Sequence, residues 1–151
     1  MAFRPISVAR LRQVALSLGL LTSLLVGCLK VSDKNQAIAE TAHNLGLWGD
    51  YIERCHEADI AVQRCETLDD ALALLKTHRI ADEEDLDALA HDAWKQAFHW
   101  NIEESRQGTL IRVTSAGRNG IDEVGRGDDI VAEFTIPHDR TQRVRQSVKL
   151  P

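Results

Sequence analysis

The fold follows from one stretch, "TLIRVTS AGRNGIDEVGRGDD IVAEFTI", which spans residues 109–136. Its two outer segments, 109–115 and 130–136, are rich in β-branched residues, which favour strands. The segment between them, residues 116–129, combines glycines with acids, and we call it the acidic loop. We therefore predict two strands joined by a loop that carries side-chain oxygens.

The flanking sequence extends this sheet in both directions. Upstream, "AFHWNIE" (97–103) alternates apolar and polar side chains, and "EESRQG" (103–108) is a turn sequence. Downstream, "DRTQRVRQSVKLP" (139–151) is polar and basic. It is either a loose tail or a last edge strand. The C-terminal half therefore predicts a small antiparallel sheet.

Helical signals precede the sheet. One apolar stripe recurs at three- and four-residue steps through Ile38, Ala42, Leu45, Trp48, Ile52 and Cys55. Thr67 with an acid three residues later predicts the start of a second helix, and Asp82 caps a third. The predicted fold class is α+β, with N-terminal helices packed on the sheet.

The N-terminus has the composition of a secretory signal. Three arginines lie within the first twelve residues, and an apolar run follows from Val14 to Leu29. A membrane-spanning helix needs about 20 apolar residues, more than this interrupted run offers. The segment Leu25-Val26-Gly27-Cys28 resembles the lipobox of bacterial lipoproteins. The resemblance implies cleavage before Cys28 and lipidation, with thioether-linked lipid and a palmitate-like acyl chain. A plain signal peptide or an uncleaved anchor with an incidental Cys is the alternative.

The predicted organisation is a lipoprotein signal peptide (1–27), a lipidated tether (28–36) and a folded domain (37–151). Leu29, instead of Asp, follows the Cys, which in lipoproteins favours the outer membrane, with the domain facing the periplasm. Removal of three arginines and no acid changes the net charge from −5 to −8. Such acidity disfavours nucleic-acid binding and leaves the acyl chains as the membrane contact.

Two cysteines remain in this predicted mature chain, Cys55 and Cys65. An even pair in an oxidising compartment predicts a disulfide. Ten residues of continuous helix would separate them by about 15 Å, whereas a disulfide needs Cα atoms within about 7 Å. The first helix must therefore end between them, and the stripe breaks at Ala58-Asp59. A zinc site formed by these cysteines and a histidine is an alternative.

The acidic loop is a candidate cation site. Its side-chain oxygens come from Asn119, Asp122, Glu123, Asp128 and Asp129. Calcium takes six to eight oxygens, and glycines allow backbone carbonyls to converge on it. The spacing does not fit an EF-hand. Asn119-Gly120 is alternatively a simple turn with solvated acids.

Residues 92–135 resemble the C-terminal domain of the major pseudopilin of type II secretion. In that family an Asp-Pro-Trp-Gly-x-Pro-Tyr segment precedes a strand, and a Ser-x-Gly-x-Asp-Gly loop ending in Asp-Asp-Ile or Asp-x-Asp-Ile binds calcium. The matching residues here are Asp92, Trp94, Ser115, Gly117, Gly120, Asp128, Asp129 and Ile130. Ala93 and Lys95 replace the family's Pro and Gly, and Asn119 replaces an Asp.

The resemblance implies a pilin-like domain that binds calcium. Asn119 and Asp128 are the implied side-chain ligands, with backbone carbonyls near Ser115 and Ile121. Asp122 and Asp129 are further candidates, because the loop length differs from the family pattern. The N-terminus departs from the family, since pseudopilins are cut before Phe and carry Glu at the fifth position. Here those positions are Cys28 and Ser32.

The sequence favours a non-catalytic function. Its six histidines form no H-x-x-x-H pair, and Ser115 lies in no nucleophile elbow. We expect a structural or interaction lipoprotein with an envelope or secretion-system partner. The alternatives are an accessory component of a type II secretion pseudopilus and a small metal-dependent envelope hydrolase.

Overall fold

The structure, a computed structural model, describes residues 8–151 except Val124, with side chains from Asp33 onward. Its helices are α1 (Val8–Glu57), α2 (Leu68–Thr77) and α3 (Glu83–Ala90), and a 3-10 turn covers Val62–Arg64. The strands are β1 (His99–Ser105), β2 (Gly108–Ser115), β3 (Ile130–Pro137) and β4 (Arg145–Lys149). Contacts divide the chain into two compact units, Met1–Gln36 and Ala37–Pro151.

The N-terminal predictions concern residues that are largely outside this description. The backbone is helical from Val8 through the predicted tether, residues 28–36. The side chain of Cys28 and those of the predicted signal peptide (1–27) lie outside the described residues. Within the described part of the chain, no helix has both the length and the apolar character needed to cross a bilayer.

The predicted α+β fold class is confirmed. The four described strands form one antiparallel sheet in the order β1-β2-β3-β4, and the helices pack on one of its faces. Strands β1 and β2 are joined by the two residues Arg106 and Gln107. The basic C-terminal segment forms the edge strand β4, one of its two predicted alternatives.

The predicted stripe of α1 forms the centre of the core. Leu45, Trp48, Ile52 and Cys55 are fully buried, whereas the earlier stripe residues are only partly buried. The Trp48 ring meets the ring of Trp100 from β1, with centroids 4.9 Å apart and planes tilted by 51°. The Trp48 indole N–H donates to the Leu89 carbonyl at 3.0 Å. One side chain therefore joins α1 to both the sheet and α3.

Gly49 lets α1 approach the sheet closely. A Cβ at this position would meet the side chain of Gln146 and lie 3.2 Å from the Phe134 ring. At Gly46 an added Cβ would meet nothing within 4 Å. A glycine that weakens the helix in isolation is therefore needed at position 49 for packing.

Both predicted helix caps are present. The Thr67 side chain accepts from the Asp70 backbone N–H at 3.1 Å, and the Asp70 carboxylate accepts in return, which makes a capping box. The Asp82 side chain accepts from the Asp85 N–H at 2.9 Å. Local side-chain chemistry therefore fixes where α2 and α3 begin.

The two cysteines partly depart from their prediction. Helix α1 ends at Glu57, between them, as required, and Asp59 takes a left-handed turn with φ of 58°. However, Cys55 and Cys65 are buried free thiols and not the predicted disulfide. Burial, with a smaller contribution from Cys65, raises the pKa of Cys55 to about 11, and burial also raises the pKa of Cys65. Burial therefore favours the protonated thiol at both positions.

Candidate metal centre

The acidic loop starts beside a buried carboxylate that precedes the sheet. Asp92 is 1% exposed. Its Oδ1 accepts from the backbone N–H groups of Trp94 and Gln96, each at 2.9 Å. Its Oδ2 accepts from the Ser115 hydroxyl at 2.7 Å, and the Ser115 oxygen accepts from the Gly117 N–H at 3.1 Å. The turn at Asp92 therefore fixes the end of β2 and the first residues of the loop.

Helix α1 holds this turn from the other side. The Thr41 hydroxyl oxygen, fully buried, accepts from the Ala93 N–H at 3.1 Å. The Asn44 amide donates to the His91 carbonyl at 3.2 Å. The Gln96 amide donates to the Gly117 carbonyl at 2.9 Å. A chain of hydrogen bonds therefore runs from α1 through the Asp92 turn to the acidic loop.

Asp128 organises the first half of the loop. Its Oδ2 accepts from the N–H groups of Arg118 at 2.8 Å and Asn119 at 3.2 Å. Gly117 lies against the Asp128 backbone with φ of 60°, and an added Cβ would meet the Asp128 carbonyl. A side chain at position 117 would thus be strained and also clash.

Asp129 organises the second half and carries an unusual atom. Its residue is only 3% exposed, and its Oδ2 accepts from the N–H groups of Glu123 at 2.8 Å and Gly125 at 2.9 Å. Its Oδ1 is buried and has no hydrogen-bond partner among the described residues. A buried acceptor without a partner costs about 1–3 kcal/mol, and more when it is charged. A ligand that contacts Oδ1 would remove this cost.

Three carboxylates converge at this point. Glu123, Asp128 and Asp129 each offer an oxygen, and these oxygens lie within 4.8 Å of one another. Glu123 is exposed, Asp128 is partly buried and Asp129 is buried. Carboxylates this close repel one another, and a bound cation would offset the repulsion. An all-oxygen, three-carboxylate set has the chemistry of a hard divalent cation such as calcium, so the residues fit such an ion.

Only some of the predicted ligands lie in the carboxylate cluster. Asp128 and Asp129 belong to the cluster. The Asn119 Oδ1 accepts from the Ile121 N–H at 2.7 Å, which makes a turn, and Ile121 is 62% exposed. The Ser115 hydroxyl donates to the Asp92 carboxylate. The Asp122 carboxylate lies 3.4 Å from the His99 Nδ1.

Glu123 is one of the loop's oxygen-bearing residues but does not belong to the predicted ligand set. Gly127 explains its position: an added Cβ there would collide with the Glu123 carboxylate, and Gly127 has φ of 62°. The glycines at 125 and 127 reverse the chain, so that Glu123 folds back toward the two aspartates. This glycine spacing is the signal in the sequence that points to Glu123.

A separate groove lies on the sheet face opposite the core. It has a volume of about 330 Å³ and is lined by His99, Arg112, Asp122, Glu133 and Lys149, among others. The Arg112 guanidinium pairs with Glu133 and with Glu103 at 3.0 Å, and these hydrogen bonds, Glu133 first, raise the pKa of Arg112. The hydrolase alternative requires a pocket that joins a histidine to acids, and this groove contains His99 with Asp122 and Glu133. Among the described residues, however, the grouping with ligand spacing contains neither a histidine nor a cysteine.

No family model, no curated protein and no solved structure matches the chain.

Proposed function

We propose that this protein is a non-catalytic envelope lipoprotein whose α+β domain is stabilised by a divalent cation and has a structural or interaction role. The proposal of a cation rests on Asp129 Oδ1, a buried carboxylate oxygen without a hydrogen-bond partner among the described residues. It belongs to a residue of the three-carboxylate cluster with Glu123 and Asp128. Calcium is the proposed ion, because the candidate ligands are all oxygens and one of the carboxylates reaches the surface.

The role of the cation is structural. Each half of the acidic loop is organised by one aspartate, Asp128 or Asp129, and these two precede β3 directly. Neutralising their repulsion would tie the loop to the end of β2 and the start of β3. The sequence pattern that resembles the calcium loop of major pseudopilins adds support, although Glu123 takes the place that the pattern gives to Asn119.

Calcium titration of the full chain in detergent tests the cation. We expect one bound ion in isothermal calorimetry, with a Kd of about 10⁻⁴–10⁻³ M, as in extracellular modules. Glu123→Gln should weaken binding without unfolding the protein, since Glu123 is exposed. Exposed Glu40, outside the loop, supplies the control Glu40→Gln. No heat beyond dilution for the wild type would contradict the proposal.

The proposed anchor is an acylated Cys28, which would hold the domain at the periplasmic side of a bacterial membrane, with the outer membrane favoured. The support is the apolar segment that ends in Leu25-Val26-Gly27-Cys28. Cys28→Ala should abolish labelling by a palmitate analogue and leave the precursor uncut. Labelling equal to wild type in that variant would refute lipidation at this residue.

A second candidate function is an accessory component of a type II secretion pseudopilus. The contact between the Asp92 turn and Ser115 supports it, because these residues belong to the two motifs that resemble the pseudopilin pattern. Site-specific crosslinking from exposed Ile121 in cells tests this role. Adducts with pseudopilus subunits favour it, whereas adducts with other envelope proteins favour the broader interaction role.

The hydrolase alternative rests on the groove that contains His99 and Asp122. It has less support, since the described candidate ligands lie in the acidic loop and include no histidine. Turnover of a generic ester or peptide substrate that His99→Ala abolishes would revive it.

A further inference from the structure

Strand β4 leaves one side of its backbone open. It is the last strand of the described sheet and pairs with β3 from Lys149 opposite Val131 to Arg145 opposite Thr135. All five of its residues are exposed. Within the described part of the chain no strand pairs with its other side. Such an edge is a template for an incoming strand, whose backbone supplies the missing hydrogen bonds.

The charge of this edge is opposite to that of the whole chain. The chain has a net charge of −5, whereas residues 139–151 contain four basic residues and one acid. Arg140 is paired with Asp59, and the Lys149 ammonium donates to the Gly125 carbonyl at 2.9 Å. Among the described residues, no carboxylate lies within ion-pair distance of Arg143 or Arg145. Arg143 and Arg145 therefore offer positive charge that no described carboxylate pairs with, whereas Lys149 lines a groove that also contains Asp122 and Glu133.

The basic groups have a defined spacing. Arg145 and Lys149 lie on the same face of β4, because they are four residues apart and side chains alternate along a strand. At about 3.4 Å per residue their Cα atoms are roughly 14 Å apart. Arg145 also lines a cleft of about 380 Å³ together with Arg106, His138 and one acid, Asp139. On the opposite face, Val148 is 40% exposed and offers an apolar contact.

A second copy of the chain fits this edge poorly. In an antiparallel pair centred on Ser147, each Arg145 would face the Lys149 of the other copy. In a parallel pair in register, each basic residue would face its own counterpart. Like charges directly opposite each other destabilise strand pairing. Basic residues on an edge therefore prevent self-association and still admit a strand of opposite charge.

We propose that β4 binds an extended acidic segment of a partner protein, which adds to the sheet as a fifth, antiparallel strand. Two carboxylates four residues apart in that segment pair with Arg145 and Lys149. An apolar residue beside the carboxylate opposite Lys149 packs on Val148. This inference names the class of partner for the interaction role proposed above and rests on that role, but it involves neither Cys28 nor the acidic-loop carboxylates.

A capped synthetic peptide of about nine residues with Glu-Val-Thr-Thr-Glu at its centre is the probe. It is titrated into the full chain in detergent and followed by fluorescence anisotropy and by hydrogen exchange. We expect saturable binding and slower amide exchange confined to β3 and β4. Arg145→Glu with Lys149→Glu should weaken binding at least about tenfold, because like charges then face each other. A peptide with Lys in place of both Glu should not bind the wild type and should bind this variant.

The matched control reverses two other exposed arginines, Arg64 and Arg79, and so changes the net charge equally. It should bind the acidic peptide within about twofold of wild type. Equal weakening by both double variants would overturn the proposal in favour of nonspecific attraction. Protection of β4 that depends on protein concentration and not on peptide would overturn it in favour of self-association. If the wild type binds calcium but not the peptide, this inference is rejected and the proposed cation site stands.

Discussion

Neutralising Glu123 should lower the stability of the domain in calcium but not in chelator. In chelator, Glu123→Gln removes one of three carboxylates whose oxygens lie within 4.8 Å, so repulsion decreases and the melting midpoint stays equal or rises slightly. In calcium, the same change removes a ligand, so the midpoint falls below that of the wild type. If Glu123 stabilises the loop without binding the ion, Glu123→Gln should shift the melting midpoint in the same direction in calcium and in chelator.

The magnitude follows from mass action. With a Kd of about 10⁻⁴–10⁻³ M, 10 mM calcium is a roughly tenfold to hundredfold excess, which stabilises the folded state by about 1.4–2.7 kcal/mol. For a domain of this size that raises the midpoint by about 5–12 °C. If Glu123→Gln weakens the affinity about tenfold, about 1 kcal/mol of the stabilisation disappears, or roughly 4 °C.

The assay is a thermal melt of the full chain in detergent, followed by circular dichroism, in 10 mM calcium and in chelator. Glu40→Gln is the matched control, because it removes the same charge from an exposed position in α1 outside the loop. It should shift both curves equally and by little. Magnesium at the same concentration reports on selectivity for calcium. If calcium leaves the wild-type midpoint at its chelator value, the three carboxylates do not bind calcium and the reasoning fails.

Three further predictions concern the core. Trp48→Ala should lower the free energy of unfolding by about 3–5 kcal/mol in denaturant melts, because Trp48 is fully buried, whereas Ile121→Ala at an exposed site should change it by less than about 0.5 kcal/mol. Gly49→Val should lower the free energy of unfolding by about 1–3 kcal/mol, because its side chain would clash with the Phe134 ring. Gly46→Val should lower it by less, since the space around Gly46 is open. Equal losses would refute the packing argument. Burial raises the pKa of Cys55 from 9.0 to about 11, so the stability it contributes is complete below pH 9 and is lost as pH rises through 11. Relative to Cys55→Ala, wild type should lose about 2–3 kcal/mol across that window in denaturant melts.

The elements of the fold were predictable because their signals are local. Thr67 and Asp82 cap helices through contacts within three residues, and the stripe through Trp48 has the period of a helix. The role of Gly49 was not predictable, because it depends on Phe134 and Gln146. Its local cost to the helix is visible in the sequence, but the space that it leaves for the sheet is not.

The site was predicted in part for the same reason. Asp128 and Asp129 stand next to a strand, so their position in the loop follows from the sequence. Glu123 joins them beside Gly125 and Gly127, which have positive φ, and Gly127 leaves room for its carboxylate. The disulfide prediction placed the helix break correctly, whereas the structure has Cys55 and Cys65 as buried free thiols. Burial raises the pKa of both.

The acidic loop connects more of the protein than its two flanking strands. Through Ser115 and the Asp92 turn it reaches Thr41 of α1, and through the Gly125 carbonyl it holds Lys149 of the edge strand β4. Asp129 accepts from the N–H of the same Gly125, so a carboxylate of the proposed cation site and the Lys149 contact share one peptide segment. A cation that orders this segment would also fix Lys149, one of the two basic groups proposed to receive a partner strand. Calcium should therefore strengthen binding of the acidic peptide, and by reciprocity the peptide should tighten calcium binding by the same factor. Equal peptide affinity in calcium and in chelator would show that the two sites act independently.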